Sequence, residues 1–247
     1  MIGFRSMPTS ETIISVKNVS KIYELRHSKP TFFETLFSRK ETERFSALTD
    51  VSFDIKRGDR LAIIGSNGSG KTTLLKLFAG ITQPTKGKIK VSGRVASLID
   101  LEAGFHPDLS GEENVFLNGM LVGMSKSEIK EKFSSIVSFA DIGSFIDAPL
   151  YTYSSGMKLR LGFAIAIHSD PDILLLDEGF AVGDGIFRDK VAKKIAQFKK
   201  SKKTLIMVSH WIEELKKNCS KVVWLDKGEV KASGSHKVFD TYLRSFE

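Results

Sequence analysis

The sequence has 247 residues, 41% hydrophobic and 27% charged, with 37 Lys and Arg against 29 Asp and Glu and a net charge of +8. That length allows one large domain or two small ones, and the composition excludes a disordered chain. A single cysteine, Cys219, excludes an internal disulfide framework and a cysteine-based zinc cluster.

In chain order, the start Met1-Ile2-Gly3-Phe4-Arg5 lacks the apolar stretch of a signal peptide. No apolar run approaches the roughly 18 residues of a membrane span, so the chain is expected in the cytosol. Thr12–Tyr23 reads as a strand of a small antiparallel sheet. Glu24–Ser46 is rich in charge and Phe, and Phe32, Phe33, Leu36 and Phe37 share one helical face. It reads either as a short helix packed on the domain or as a surface element that meets a membrane partner or lipid. Ala47–Ile55 and Gly87–Ile99 are two further antiparallel stretches. Leu61–Ile64, Ile173–Leu176, Thr204–Val208 and Val222–Leu225 are short apolar runs that do not alternate, the pattern of strands covered on both faces in a parallel sheet. From about 105 to 165 the pattern turns helical. Ser110 with Glu113 and Ser125 with Glu128 have the spacing of capping boxes. The expected fold is α/β: a mainly parallel sheet, a small antiparallel β subdomain, and a helical subdomain inserted at about 105–165, with the core and β subdomain at about 1–100 and 166–247. The basic balance suits an anionic partner without choosing among nucleotide, nucleic acid and membrane surface.

The strongest chemical signal is Gly65-Ser66-Asn67-Gly68-Ser69-Gly70-Lys71-Thr72-Thr73, which follows the strand Leu61–Ile64 and opens a helix at Thr73–Ala79. This is the phosphate-loop pattern of a P-loop NTPase. Glycines let successive N–H groups point at one phosphate cluster, and the helix start adds partial positive charge. Lys71 supplies a full charge to the outer phosphates, and Thr72 offers a hydroxyl to Mg²⁺. The run Ile173–Leu176 ends in Asp177-Glu178, two acids whose position at a buried strand end calls for a cation. Asp177 is expected in the Mg²⁺ shell and Glu178 as general base toward water. Ser154-Ser155-Gly156-Met157 precedes a helix; alone it is an N-cap, and with a phosphate nearby it is an anion site.

That order of motifs resembles the ATP-binding subunit of an ABC transporter, over nearly the whole chain. The resemblance implies ATP and Mg²⁺ as ligands, Lys71, Glu178 and His210 as catalytic residues, and Tyr23 as the aromatic that stacks on adenine. It implies γ-phosphate contacts from Ser154 and Gly156, with Ser155 where the family has glycine, and a dimer-facing loop at Asp184. Where the family carries a glutamine, this chain offers Asp100 or Glu102. The string from Ala103 to Gly123, with Tyr153–Met157 and Glu178–Asp184, resembles the subfamily that exports bacterial surface polysaccharides. Some of its members carry a C-terminal carbohydrate-binding domain, for which a chain stopping at Glu247 is too short. The resemblance further implies an ATP-sandwich dimer of two copies and a two-copy integral permease. That permease would be seated in a groove between residues 100–120 and the helical insertion, and would pass a lipid-linked polysaccharide. It implies a peripheral position on the cytoplasmic face of the bacterial inner membrane and no nucleic acid. The competing readings are an ABC-type ATPase acting on nucleic acid or ribosomes without a membrane partner, and an ABC subunit with another cargo.

Overall fold

The computed structural model describes residues 11–25, 43–99, 104–177, 185–209 and 211–246. Two sheets organise them. The antiparallel sheet has the order β2-β1-β4, with β1 at Thr12–Leu25, β2 at Glu43–Lys56 and β4 at Lys86–Val91. The larger sheet has the order β5-β6-β7-β3-β8-β9. In it β3 (Arg60–Ile64), β5 (Val95–Ser97), β6 (Ile173–Leu176), β7 (Thr204–Val208) and β8 (Lys221–Asp226) are parallel, and β9 (Glu229–Gly234) returns antiparallel to β8.

The stretch Gly87–Ile99 was expected to be antiparallel throughout, and the structure divides it. Lys86–Val91 pairs antiparallel with β1, whereas Val95–Ser97 pairs parallel with β6. The turn at Ser92-Gly93-Arg94 carries the chain from one sheet to the other, with Gly93 at φ 99°.

The parallel strands are buried because alternate residues feed two separate cores. Leu61, Ile63, Ile173, Leu175, Ile206, Val208, Val223 and Leu225 face one side, packed against the antiparallel sheet and Leu74, Leu75 and Phe78 of α1 (Lys71–Phe78). Ala62, Ile64, Leu174, Leu176, Leu205, Met207, Val222 and Trp224 face the other. There they meet Phe187, Val191 and Phe198 of α5 (Gly185–Lys200), Leu215 of α6 (Ile212–Asn218), and Val238 and Phe239 of α7 (Lys237–Arg244). Burying one such side chain stabilises by about 1.5–3 kcal/mol, which is why these runs read as continuously apolar.

A third core belongs to the helices α2 (Gly111–Leu121), α3 (Lys126–Ala140) and α4 (Ser155–His168), with short 3₁₀ turns at Gly143–Asp147 and Leu150–Thr152. Val115, Ile129, Ile136, Leu161 and Ile165 fill it. Both capping boxes form, with Ser110 and Ser125 each accepting from the N–H of the glutamate three residues on. The Ser110 backbone N–H and then its hydroxyl hold the Glu113 carboxyl below its ordinary range, and Ser125 does the same for Glu128. Arg94 fastens this helical unit to the parallel sheet. Its guanidinium donates to Ser169 O and, at 2.7 Å, to Gly123 O, while its backbone N–H donates to Asp172 Oδ2 at 2.8 Å.

Candidate functional site

β3 delivers the phosphate loop to the carboxyl end of the parallel sheet, where ligands of open α/β folds bind. Two glycines fix the loop's path. Gly65 has φ 150°, and a Cβ there would stand 2.2 Å from Leu225 O and 2.5 Å from Ser69 Oγ. Gly70, the N-cap of α1, has φ 100°, and a Cβ there would stand 2.5 Å from Ala47 O. No side chain caps α1, so the N–H groups of its first turn are left for an anion. Helix α1 begins at Lys71, two residues ahead of the expected start.

Lys71 is buried and curls back over the loop. Its ammonium donates to Gly65 O and Ser66 O, both at 3.0 Å. The next residue, Thr72, donates from Oγ1 to Asp177 Oδ2 at 3.4 Å. Ser69 is buried, and among the described residues its Oγ has no hydrogen-bond partner. An orphaned hydroxyl against this loop fits an anion that would supply the missing bond. The Thr72 hydroxyl and the Asp177 carboxylate are hard oxygen ligands side by side. That donor set fits Mg²⁺, which takes one or two protein oxygens and completes its shell with phosphate and water. Among the described residues no group of three or more His, Cys, Asp or Glu is arranged to cage a metal.

Tyr23 lies in β1 directly across from Phe45 of β2, with the Lys21 ammonium 5.0 Å from its ring centre. Phe45 is two residues from Ala47, whose carbonyl abuts Gly70, so the Tyr23–Phe45 pair stands about 7 Å along the strand from that contact. Ser154 is on a different element, as N-cap of α4, where its Oγ accepts from Met157 N at 3.2 Å. Ser155 beside it is exposed. A Cβ on Gly156 would come no nearer than 3.9 Å to Ser154 Oγ, so this helix start is open to a ligand or partner. Tyr153 anchors it by donating from its buried hydroxyl to Phe145 O, and burial pushes the phenol up to about 12. Asp100, Glu102, Glu178, Asp184 and His210 lie outside the described residues, as do Phe32, Phe33, Leu36 and Phe37.

Sequence reading missed two supports of the site. The β8–β9 turn grips the loop from behind: Gly228 N donates to Ser69 O at 3.2 Å, and Thr49 N donates to Gly228 O at 2.9 Å. Asn114, fully buried, holds the loop before α2. Its Oδ1 accepts from His106 N at 2.8 Å, and its Nδ2 donates to His106 O, Leu109 O and Ser110 O. The run Asp226-Lys227-Gly228 was the signal for the first; the asparagine directly before the apolar run Val115-Phe116-Leu117 was the signal for the second. Between α2 and α3 lies a groove of about 870 Å³ lined by Leu109, Glu112, Phe116, Met120, Lys126 and Lys130. Met120 and Leu121 are exposed at its side of the molecule.

A glycine cradle, a lysine folded over it and an acid waiting beside a hydroxyl are what a nucleoside triphosphate requires, and the class of protein so defined is the phosphate-loop ATPase. Residues 48–181 match the family described as ABC transporter. A Klebsiella pneumoniae protein named O-antigen export system ATP-binding protein RfbB is 39% identical over 95% of this chain and 99% of its own length. The chain therefore belongs to the ABC transporter family and is an ATP-binding, ATP-hydrolysing member. It is also 41% identical to an O-antigen export ATP-binding protein of Myxococcus xanthus, over 92% of this chain and 54% of that one. To a teichoic acids export ATP-binding protein, TagH, of Bacillus cereus it is 43% identical, over 90% of this chain and 40% of that one. The chain thus spans about half or less of those two relatives. Among solved structures, the dimeric ATP-binding cassette MJ0796 bound to ADP and Pi superposes with a TM-score of 0.70 at 22% identity. The alignment covers 90% of this chain and 98% of that one, a likeness of fold.

Proposed function

We propose that this chain binds and hydrolyses ATP to drive export of a lipid-linked polysaccharide, of O-antigen or teichoic-acid type, across a bacterial inner membrane. The observation that carries the reading is the 39% identity with an O-antigen export ATP-binding protein along 99% of that relative. In this reading the described residues form one ATPase unit, with the helices of about 105–165 as its helical arm.

The loop from Gly65 to Thr73 cradles the phosphates, and Lys71 exchanges a loop carbonyl for an outer phosphate oxygen. Thr72 and Asp177 would hold Mg²⁺, with Asp100 as a further acid, and the ion would supply charge neutralisation on the outer phosphates. Glu178 orients and deprotonates the attacking water, His210 contacts the γ-phosphate, and Tyr23 stacks on adenine. Ser154, Ser155 and Gly156 stand on a different element from Lys71. They complete the site of a second copy packed head to tail, with Asp184 at that seam. ATP is the anion that both half-sites need, so binding closes the pair and hydrolysis reopens it.

A polysaccharide hydroxyl left unpaired in hydrocarbon costs about 4–8 kcal/mol, so the polymer needs a conduit. Among the described residues no helix is long and apolar enough to cross a membrane. An integral permease in two copies is the partner, seated in the groove between α2 and α3. The chain then sits peripherally on the cytoplasmic face. The test is genetic and biochemical. Deletion of the gene should abolish surface polymer, wild type should restore it, and Glu178→Gln should bind ATP without turnover and fail to restore it. Normal surface polymer after deletion would overturn the cargo, and normal turnover by Glu178→Gln would overturn the base.

A further inference from the structure

We propose that the outer face of the antiparallel sheet docks on anionic lipid headgroups. Ile89 and Val91 of β4 turn inward onto the core, so Lys88 and Lys90, alternating with them, turn outward. Lys17 of β1 lies directly opposite Lys88, and Ser15 lies opposite Lys90. Lys86 at the start of β4 and Lys56 at the end of β2 are also exposed. Asp54, across from Ser15, is an acid on this face. Among the described residues none of these lysines is in an ion pair. Nearby cations do have partners: Lys21 donates to Gln83 O, and Arg57 to Glu11 and Asp172.

Like charges placed directly opposite on paired strands destabilise a sheet. Lysines on an edge strand such as β4 do deter edge-to-edge pairing. That accounts for Lys88 and Lys90 but not for Lys17, which sits on the central strand. An external anion removes the penalty of the Lys17–Lys88 pair and gives Lys90 a partner. The outward residues named here include no aromatic on which a base could stack, which argues against single-stranded nucleic acid. Lysines whose backbones stand about 5 Å apart across strands and about 7 Å apart along them, on long side chains, instead suit a surface of mobile phosphates. Membership in a transporter family brings the chain beside such a plane. The inference rests on that membership and not on the proposed cargo.

The test is sedimentation of the 247-residue chain with phosphatidylcholine vesicles, with and without phosphatidylglycerol. Each lysine near an anionic surface is worth about a fivefold change in partition. The wild type should prefer the anionic vesicles, and less so as salt rises. Combined Lys17→Gln, Lys88→Gln and Lys90→Gln should lower that partition by about tenfold or more. The thermal midpoint should be unchanged or raised, because the opposed charges are gone. A control with Lys193→Gln, Lys200→Gln and Lys237→Gln makes the same charge change at exposed positions elsewhere and should keep most of the binding. Equal binding to both vesicle types, or equal losses in both variants, overturns the proposal. So does tighter binding of an oligothymidylate that the sheet variant loses. Should the triple variant unfold, Lys88→Gln alone gives the same reading, and full vesicle binding by it overturns the proposal.

Discussion

Thr72 Oγ1 and Asp177 Oδ2 meet at 3.4 Å although they are 105 residues apart in the chain. The first opens α1 after β3, and the second ends β6, two strands away in the sheet. Parallel register makes the meeting possible: every strand of β3, β7 and β6 ends on the same side, so the loops that follow converge.

Lys71→Ala removes a buried ammonium that two carbonyls hold at 3.0 Å. Charge-assisted bonds of this kind contribute about 1.5–3 kcal/mol, so ATP affinity should fall about 10–100-fold by calorimetry, with the fold retained. An unchanged affinity would remove Lys71 from the binding site.

Gly70→Ala would force a Cβ into a backbone at φ 100° and to within 2.5 Å of Ala47 O. Strain of this order costs about 1–3 kcal/mol, and urea unfolding should register it. Stability equal to wild type would mean that the loop is free to take another path.

Arg94→Lys replaces a fork that reaches Ser169 O and Gly123 O with a single ammonium. The loss should be about 2–3 kcal/mol, lowering the thermal midpoint by about 5–10 °C. A lysine that fully restores the midpoint would show that charge alone, not the fork, fastens the helical unit.

His168 sits edge-on to Phe139, with Nδ1 2.7 Å from Ala164 O. Burial pushes its pKa below the ordinary 6.5, Lys194 and Lys132 add to that, and the Ala164 contact opposes it. A lowered pKa means that the unfolded chain takes up the proton first as pH falls. The contribution is therefore whole above about 6.5 and is lost on acidification through the lower folded value. Stability should rise with pH up to about 6.5 and level off above it, and His168→Gln should flatten the rise. An identical slope in the variant would assign the dependence to other groups.

The parts of the fold that could be read from sequence are those where one local rule and the global packing agree. Gly65–Thr72 stood between an apolar run and a helix, and the two serine–glutamate spacings each produced a complete capping box. The division of Gly87–Ile99 was hidden because both halves are β-like, and only their partners, Val16 for Ile89 and Leu174 for Ala96, assign them to different sheets. β9 went unread because an edge strand, Glu229–Gly234, need not be apolar. Its signal was the turn before it, with Lys227 at φ 48° and Gly228 at φ 85°, both positive as a tight hairpin requires. Arg94 was unreadable for another reason: its acceptors come from two distant stretches of chain, around Gly123 and from Ser169 to Asp172.

Gly228 touches both the loop backbone at Ser69 and the β2 backbone at Thr49. A triphosphate seated against Ser69 would therefore be felt by amides that never approach it. In deuterium exchange, the slowing on nucleotide addition should reach Thr49, so β2, which borders the loop at Ala47, becomes a gauge of occupancy.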